Sequence, residues 1–259
     1  MTALAFSVTP HMHALEREQL VESIAVQRTV AENAVRIARG RPLHIGPITL
    51  RPRFNAVATT APVAGPDKIE FTGYGPEHLP EATDARQQSA ALAAWLIASV
   101  DAFAVPGVAS LCYFEAWGAR GIGGSGVAAR YPVATAVEWM RELEGVPLRE
   151  LRGELPPAVA ILIADIRNAS GAPTAVIANL SDRTQVLRLE IADSALRTGD
   201  GPGCRPGVLE RVVTPQHATA RIALLRPAMS SETVPCVDGC ITVSVQAGEA
   251  VRWRATAVH

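Results

Sequence analysis

Three short stretches of this chain concentrate side chains suited to proton and anion chemistry. His11 and His13 follow an apolar run that ends at Thr9-Pro10. Arg51, Arg53 and Asn55 follow a second run, and Glu115, Trp117 and Arg120 follow a third. A carboxylate such as Glu115, set behind Tyr113-Phe114 at a strand end, can have its pKa raised by partial burial and act as base or acid. It can equally pair with Arg120 or Arg51 and simply hold a loop. An arginine offers paired N–H donors to a carboxylate or a developing oxyanion. In an extended segment Arg51 and Arg53 point to opposite sides, so at most one of the two faces a site. The same alternation separates His11 from His13, and His11 reads as a surface or helix-leading residue. Trp117 presents a flat apolar face for a sugar ring, or plain packing for its own loop.

The elements that position these residues alternate between strand and helix. Leu4–Val8 reads as a buried strand. A helix over about 15–39 follows, with Leu20, Ile24, Ala31, Val35 and Ala38 at helical spacing and Gly40 closing it. Leu43–Leu50 is a second strand. Residues 51–83 carry many Pro, Gly and Thr residues and read as a long irregular stretch, of a length that inside a domain is usually functional or mobile. Asp84 with Gln87 three residues on matches a capping box, so a helix is expected from Asp84 through the Ala-rich stretch to Val100. Val108–Phe114 is a third strand, a Gly-rich loop follows, and Pro132–Leu143 is a last helix.

Three strand–helix units with continuous apolar strands predict a parallel sheet covered by helices. From about Leu155 the pattern changes. Short runs at 159–164, 174–179, 185–191, 208–213, 218–225 and 241–254, separated by turns such as Asp200-Gly201, predict an antiparallel β-sandwich. The expected organisation is therefore an α/β portion over 1–153 and an all-β domain over 154–259.

Composition narrows the function classes. Among 259 residues, 48% are hydrophobic and 19% charged, which suits a globular chain with a core. A net charge of −1 gives no basic excess for nucleic acid or an anionic membrane surface. No apolar run reaches the ~18 residues of a membrane span. A cytoplasmic protein acting on a small molecule is expected, with no cofactor and no metal. Cys112 reads as a buried core thiol. Cys236 and Cys240 suggest a hairpin disulfide or half a metal site, but with Cys204 as a third ligand a fourth is lacking. Gly121–Gly126 fits neither a P-loop nor a dinucleotide fingerprint, and no Gly-x-Ser-x-Gly elbow is present.

Residues 6–14 (FSVTPHMHA), 45–55 (IGPITLRPRFN) and 107–115 (GVASLCYFE), the last followed by Trp117 and Arg120-Gly121, resemble the D-apionate lactonase family. Asp84, Arg86 and Gln87 add a weaker fourth point. The resemblance implies strands six, seven and eight of a (β/α)8 TIM-type barrel, followed by a β-domain. It implies hydrolysis of the lactone of a branched sugar acid in carbohydrate catabolism, with Glu115 and His13 catalytic and Arg51, Arg53, Asn55, Trp117 and Arg120 binding substrate. A full barrel typically needs ~200–250 residues. The chain is therefore expected to act with a separate N-terminal half or as a homo-oligomer, or to be an inactive remnant. A glycosidase-like barrel is the other enzymatic reading.

Overall fold

The computed structural model describes residues 2–11, 15–52, 83–124, 130–165, 173–190, 206–212, 229–237 and 240–256. The chain divides into two compact units, residues 1–87 with 102–127, and residues 88–101 with 128–259.

The first unit is a parallel sheet with strand order β1 (Leu4–Val8), β2 (Leu43–Ile48), β3 (Val108–Tyr113). Between β1 and β2 runs α1 (Arg17–Ala38), closed by Arg39 and Gly40 in the left-handed region. Leu20, Ala31 and Ala38 of α1 are buried, as its apolar spacing requires. Val35 lies so close to Gly107, at the start of β3, that a Cβ on Gly107 would meet its Cγ1 at 2.9 Å. Gly107 also has φ +105, so both space and backbone call for glycine.

The strands are less buried than their apolar runs predict. Leu43, Ile45 and Ile48 of β2 are buried, but β1 has no fully buried residue. Cys112 is an exposed free thiol rather than a core residue. The reason is the two-residue period. Ala5, Ser7, His44, Ser110 and Cys112 are all exposed, and strand pairing puts Ala5 opposite His44 and His44 opposite Ser110 on one face. His44 Nδ1 lies 2.7 Å from Ser110 Oγ across that face.

The second unit holds α2 (Ala90–Phe103, through residue 101), α3 (Pro132–Glu142) and the β-domain. The helix expected from Asp84 begins only at Ala90. Residues Ala85–Gln88 form a 3-10 turn instead.

The β-domain strands are β4 (Val159–Asp165), β5 (Pro173–Asn179), β6 (Gln185–Glu190), β7 (Gly207–Val212), β8 (Met229–Val234), β9 (Cys236–Val237), β10 (Cys240–Val245) and β11 (Ala250–Ala255). They form a five-stranded sheet, order β4-β5-β11-β7-β8, and a three-stranded sheet, order β6-β10-β9, and every pair is antiparallel. Ile177, Leu209, Val251 and Trp253 from the larger sheet meet Leu187, Ile241, Val243 and Val245 from the smaller one in a single core.

Every residue of β5 is buried, so the larger sheet is covered on both faces. Helix α3 supplies part of that cover. Arg252 places its guanidinium 4.9 Å from the ring centre of Trp139 and bonds Glu142 at 2.8 Å and Glu210 at 2.7 Å.

The apolar run 241–254 is two strands, because Gln246-Ala247-Gly248 turns the chain and Gly248 has φ +68. The expected run 218–225 lies outside the described residues. The pairing of Cys236 with Cys240 is overturned, since Cys236 is disulfide-bonded while Cys240 is a free thiol. Among the described residues no group of three or more His, Cys, Asp or Glu could hold a metal ion, and no helix is long and apolar enough to cross a membrane.

Candidate active site

Parallel strands fray at their carboxyl ends, and there the chain must supply side chains to satisfy the freed backbone and to do any chemistry. At this end Thr49 N–H donates to the Val8 carbonyl at 3.1 Å and His11 N–H to the Leu50 carbonyl at 3.0 Å. Phe114 N–H donates to the Ile48 carbonyl at 2.9 Å. These bonds carry the pairing of β1, β2 and β3 past their formal ends, so His11, Arg51 and Glu115 all leave from one edge of one sheet.

A single turn then ties this edge together. Asp84 Oδ1 accepts from the Arg86 backbone N–H at 2.9 Å, which is half of the expected capping box. Gln87 does not complete the box. Its Nε2 donates to the Gly121 carbonyl at 2.9 Å, in the loop after β3. The Asp84–Gln87 turn thus reaches the ends of β1 and β2 with its first residue and the β3 loop with its last.

Asp84 is almost fully buried and is the centre of the site. Arg86 Nε donates to Oδ1 at 2.8 Å and Arg86 Nη2 to Oδ2 at 2.7 Å, a bidentate pair. Arg51 Nε lies 3.8 Å from Oδ2. His11 Nδ1 lies 3.2 Å from the same oxygen. Arg86 Nη2 is also 3.3 Å from His11 Nδ1, but its two protons are taken by Asp84 Oδ2 and by the Leu15 carbonyl at 2.8 Å. The nitrogen of His11 is therefore the donor, because an ionised carboxylate only accepts. Burial alone would raise the Asp84 pKa, but the hydrogen bonds from His11 and Arg86 and the Arg86 charge hold it well below the usual carboxylate range. Asp84 is an anion at any ordinary pH.

His11 is only 1% exposed, which overturns its reading as a surface or helix-leading residue. Its burial follows from Asp84, a partner 73 positions away that no local pattern reveals. Its Nε2 is buried without a hydrogen-bond partner. Sequence reasoning placed Asp84 and Gln87 as a helix cap and left His11 and Arg86 out of the site. The signal available was the acid–arginine spacing of Asp84 and Arg86 directly after the long 51–83 stretch.

Glu115 sits in a salt bridge, with Oε1 2.9 Å from Arg120 Nη2 and a quarter of its side chain exposed. The loop between them is tight. Glu115 N–H points to the Arg120 carbonyl at 3.4 Å, Ile122 N–H donates to the Glu115 carbonyl at 2.9 Å, and Glu115 bridges Gly121 in parallel fashion. Phe114 adopts φ +57 to enter it. Trp117, at the crest of this loop, is 63% exposed. The structure thus brings Glu115, Trp117 and Arg120 into one loop and Arg51 onto Asp84. His13, Arg53 and Asn55 lie outside the described residues.

Comparison with known proteins bears on this arrangement. Residues 1–145 match the family model described as D-apionate lactonase, TIM barrel domain. No curated protein matches the sequence significantly. Among solved structures, the chain is similar to the GH51 arabinofuranosidase from Xanthomonas axonopodis pv. citri, at 12% identity and TM-score 0.58, covering 98% of this chain and 52% of that one. It is similar to the arabinose complex of alpha-L-arabinofuranosidase from Thermotoga maritima, at 10% identity and TM-score 0.59, covering 97% and 52%. The GH51 alpha-L-arabinofuranosidase from Thermotoga petrophila RKU-1 follows at 9% and TM-score 0.56, covering 94% and 50%. At such identities the likeness is one of fold: a TIM-barrel-like domain with a β-domain. The chain spans about half the length of these structures.

Proposed function

The chain belongs to the D-apionate lactonase family, and from that premise we propose that it serves in the hydrolysis of a sugar-acid lactone. The observation that carries the reading is the gathering of guanidinium and carboxylate groups at the carboxyl ends of β1, β2 and β3. Arg51, Arg86 and Arg120 face Asp84 and Glu115 there. That edge is where barrels of this kind place their chemistry.

The reaction needs a water made nucleophilic, an oxyanion held, and a ring oxygen protonated as it leaves. Glu115 is the carboxylate that takes the proton from water as its oxygen adds to the lactone carbonyl. The carbonyl electrons move onto oxygen, where an arginine donates to the charge, Arg51 being the described candidate. Collapse breaks the ring C–O bond, and His13 supplies the proton to the departing alkoxide. Arg53, Asn55, Trp117 and Arg120 hold the hydroxyls and the sugar face. No cofactor enters these steps.

Glu115→Gln, assayed by acid release from aldonolactones, tests the proposal. Loss of a general base lowers turnover by about 10²–10⁴. Unchanged turnover removes Glu115 from the mechanism.

A second reading, cleavage of a glycosidic bond, is favoured by the arabinofuranosidase fold likeness. It needs two carboxylates, one of them protonated in the resting enzyme. Asp84 and Glu115 are both present, but Asp84 is held ionised by Arg86 and His11. That makes it a poor acid and favours the lactone reading. A screen of chromogenic glycosides separates the two.

The partner proposed for this activity is a polypeptide that supplies further strand–helix units, with a homo-oligomer as the competing assembly. In the described sheet β1 and β3 each pair only with β2, and parallel sheets are normally buried on both faces. Light scattering on the chain alone, read beside lactone turnover, tests this: an active monomer rejects the need for a partner.

A further inference from the structure

We infer that Gln87 is a positioning residue for Glu115: its side-chain amide grips the Gly121 carbonyl and so sets the backbone of the loop that carries Glu115, Trp117 and Arg120. The inference rests on the lactone reading for the task of Glu115 and adds a residue that acts through the backbone.

One peptide group makes the connection. Gln87 is 3% exposed, and its Nε2 donates to the Gly121 carbonyl at 2.9 Å. That carbonyl shares its planar peptide group with the Ile122 N–H, which donates to the Glu115 carbonyl at 2.9 Å. Gln87 holds one side of the plane and Glu115 the other. A tilt of the plane therefore reaches the Glu115 main chain directly. It also reaches Arg120, the residue before Gly121, whose Nη2 lies 2.9 Å from the Glu115 carboxylate.

Both ends of this connection are fixed. Gly121 N–H donates to the Gly118 carbonyl at 3.0 Å, and a Cβ on Gly121 would stand 2.6 Å from the Trp117 backbone. A loop packed so closely passes a displacement on rather than absorbing it. On the other side, Gln87 N–H donates to the Asp84 carbonyl at 3.0 Å, in the turn whose acid is held by Arg86 and His11. Gln87 is thus placed by its own turn and places the loop. A neutral amide suits the task, because it offers a donor to a carbonyl without bringing a charge into a buried position.

Trp117 supplies a readout that needs no turnover. The chain has four tryptophans, and Trp95, Trp139 and Trp253 are buried, so iodide quenches mainly Trp117. Gln87→Met fills the space without a donor. It should make quenching steeper than in the wild type and lower kcat for D-ribonolactone by about tenfold or more. On a Glu115→Gln background the same change should cost little further turnover, since Gln87 acts through Glu115. Gln87→Glu adds a rescue. Its ionised carboxylate repels the Gly121 carbonyl, but its protonated form donates as the amide does. Compared with the wild type at the same pH, its quenching should be steeper at about pH 8 and restored at about pH 5. This pair of conditions carries the test if Gln87→Met does not fold. Wild-type quenching in Gln87→Met, no restoration of Gln87→Glu in acid, or a full further loss on the Glu115→Gln background would overturn the inference. The expected quenching without ribonolactone turnover by the wild type would sink the lactonase reading and leave the hold of Gln87 on the loop standing.

Discussion

His11 and Asp84 stand 73 positions apart and meet through Nδ1 and Oδ2 at 3.2 Å, both withdrawn from solvent. The contact joins the end of β1 to the turn that follows the long 51–83 stretch. Replacing His11 by Leu leaves a buried carboxylate oxygen short of a donor. The expected cost is about 1–3 kcal/mol, read as a lower urea midpoint with an unchanged slope. An equal midpoint would mean that Arg86 alone satisfies Asp84.

Acid should dissolve this cluster in a defined window. The folded pKa of Asp84 lies below its ordinary value of about 3.9. Its contribution is fully present above the ordinary value and fades as pH falls toward the folded one. The stability gap between the wild type and Asp84→Asn should therefore stay constant from about pH 7 to pH 5 and shrink below about pH 4. A gap that closes near neutrality would point to another group.

Trp117 should separate binding from folding. With 63% of its surface exposed, Trp117→Ala should move stability by no more than about 0.5 kcal/mol. If its ring is a sugar platform, KM for the lactone rises several-fold while kcat stays within about twofold. An unchanged KM would reduce Trp117 to a loop residue.

Arg252 binds the β-domain to α3. Its side chain is nearly buried between Glu142, Glu210 and the Trp139 ring. Arg252→Met removes two charge-assisted bonds, but Glu142 and Glu210 are part-exposed and keep Arg254 at 3.5 Å, so the cost is about 1–3 kcal/mol. Thermal unfolding of the variant should start well below that of the wild type. The residues of the proposed site lie in the other unit, so any lactone turnover of the wild type should persist in the variant at low temperature.

What could be read from the sequence was whatever depends on near neighbours. Helix α1 ends one residue before the predicted Arg39 because its apolar spacing and the Arg39-Gly40 pair act locally. Strand β8 was missed because Met229–Val234 is exposed at five of six positions and shows no apolar face. The half-made capping box was misread for a different reason. Gln87 had the right spacing to bond its own turn, but the Gly121 carbonyl, 34 residues on, competes for it successfully. Arg51, Glu115 and Arg120 were legible from their place behind apolar runs. Asp84 as the hub was not, because its partners His11 and Arg51 are brought to it only by the pairing of β1 with β2.

The Arg51–Asp84 contact has one more consequence. It brings within 3.8 Å a residue just before residues 53–82 and a residue just after them. Once the ends of a segment are fixed, its length matters little: doubling it costs only about 0.6 kcal/mol in closure entropy. A change in the number of residues between Pro52 and Thr83 therefore need not move Arg51 or Asp84 from the end of the sheet.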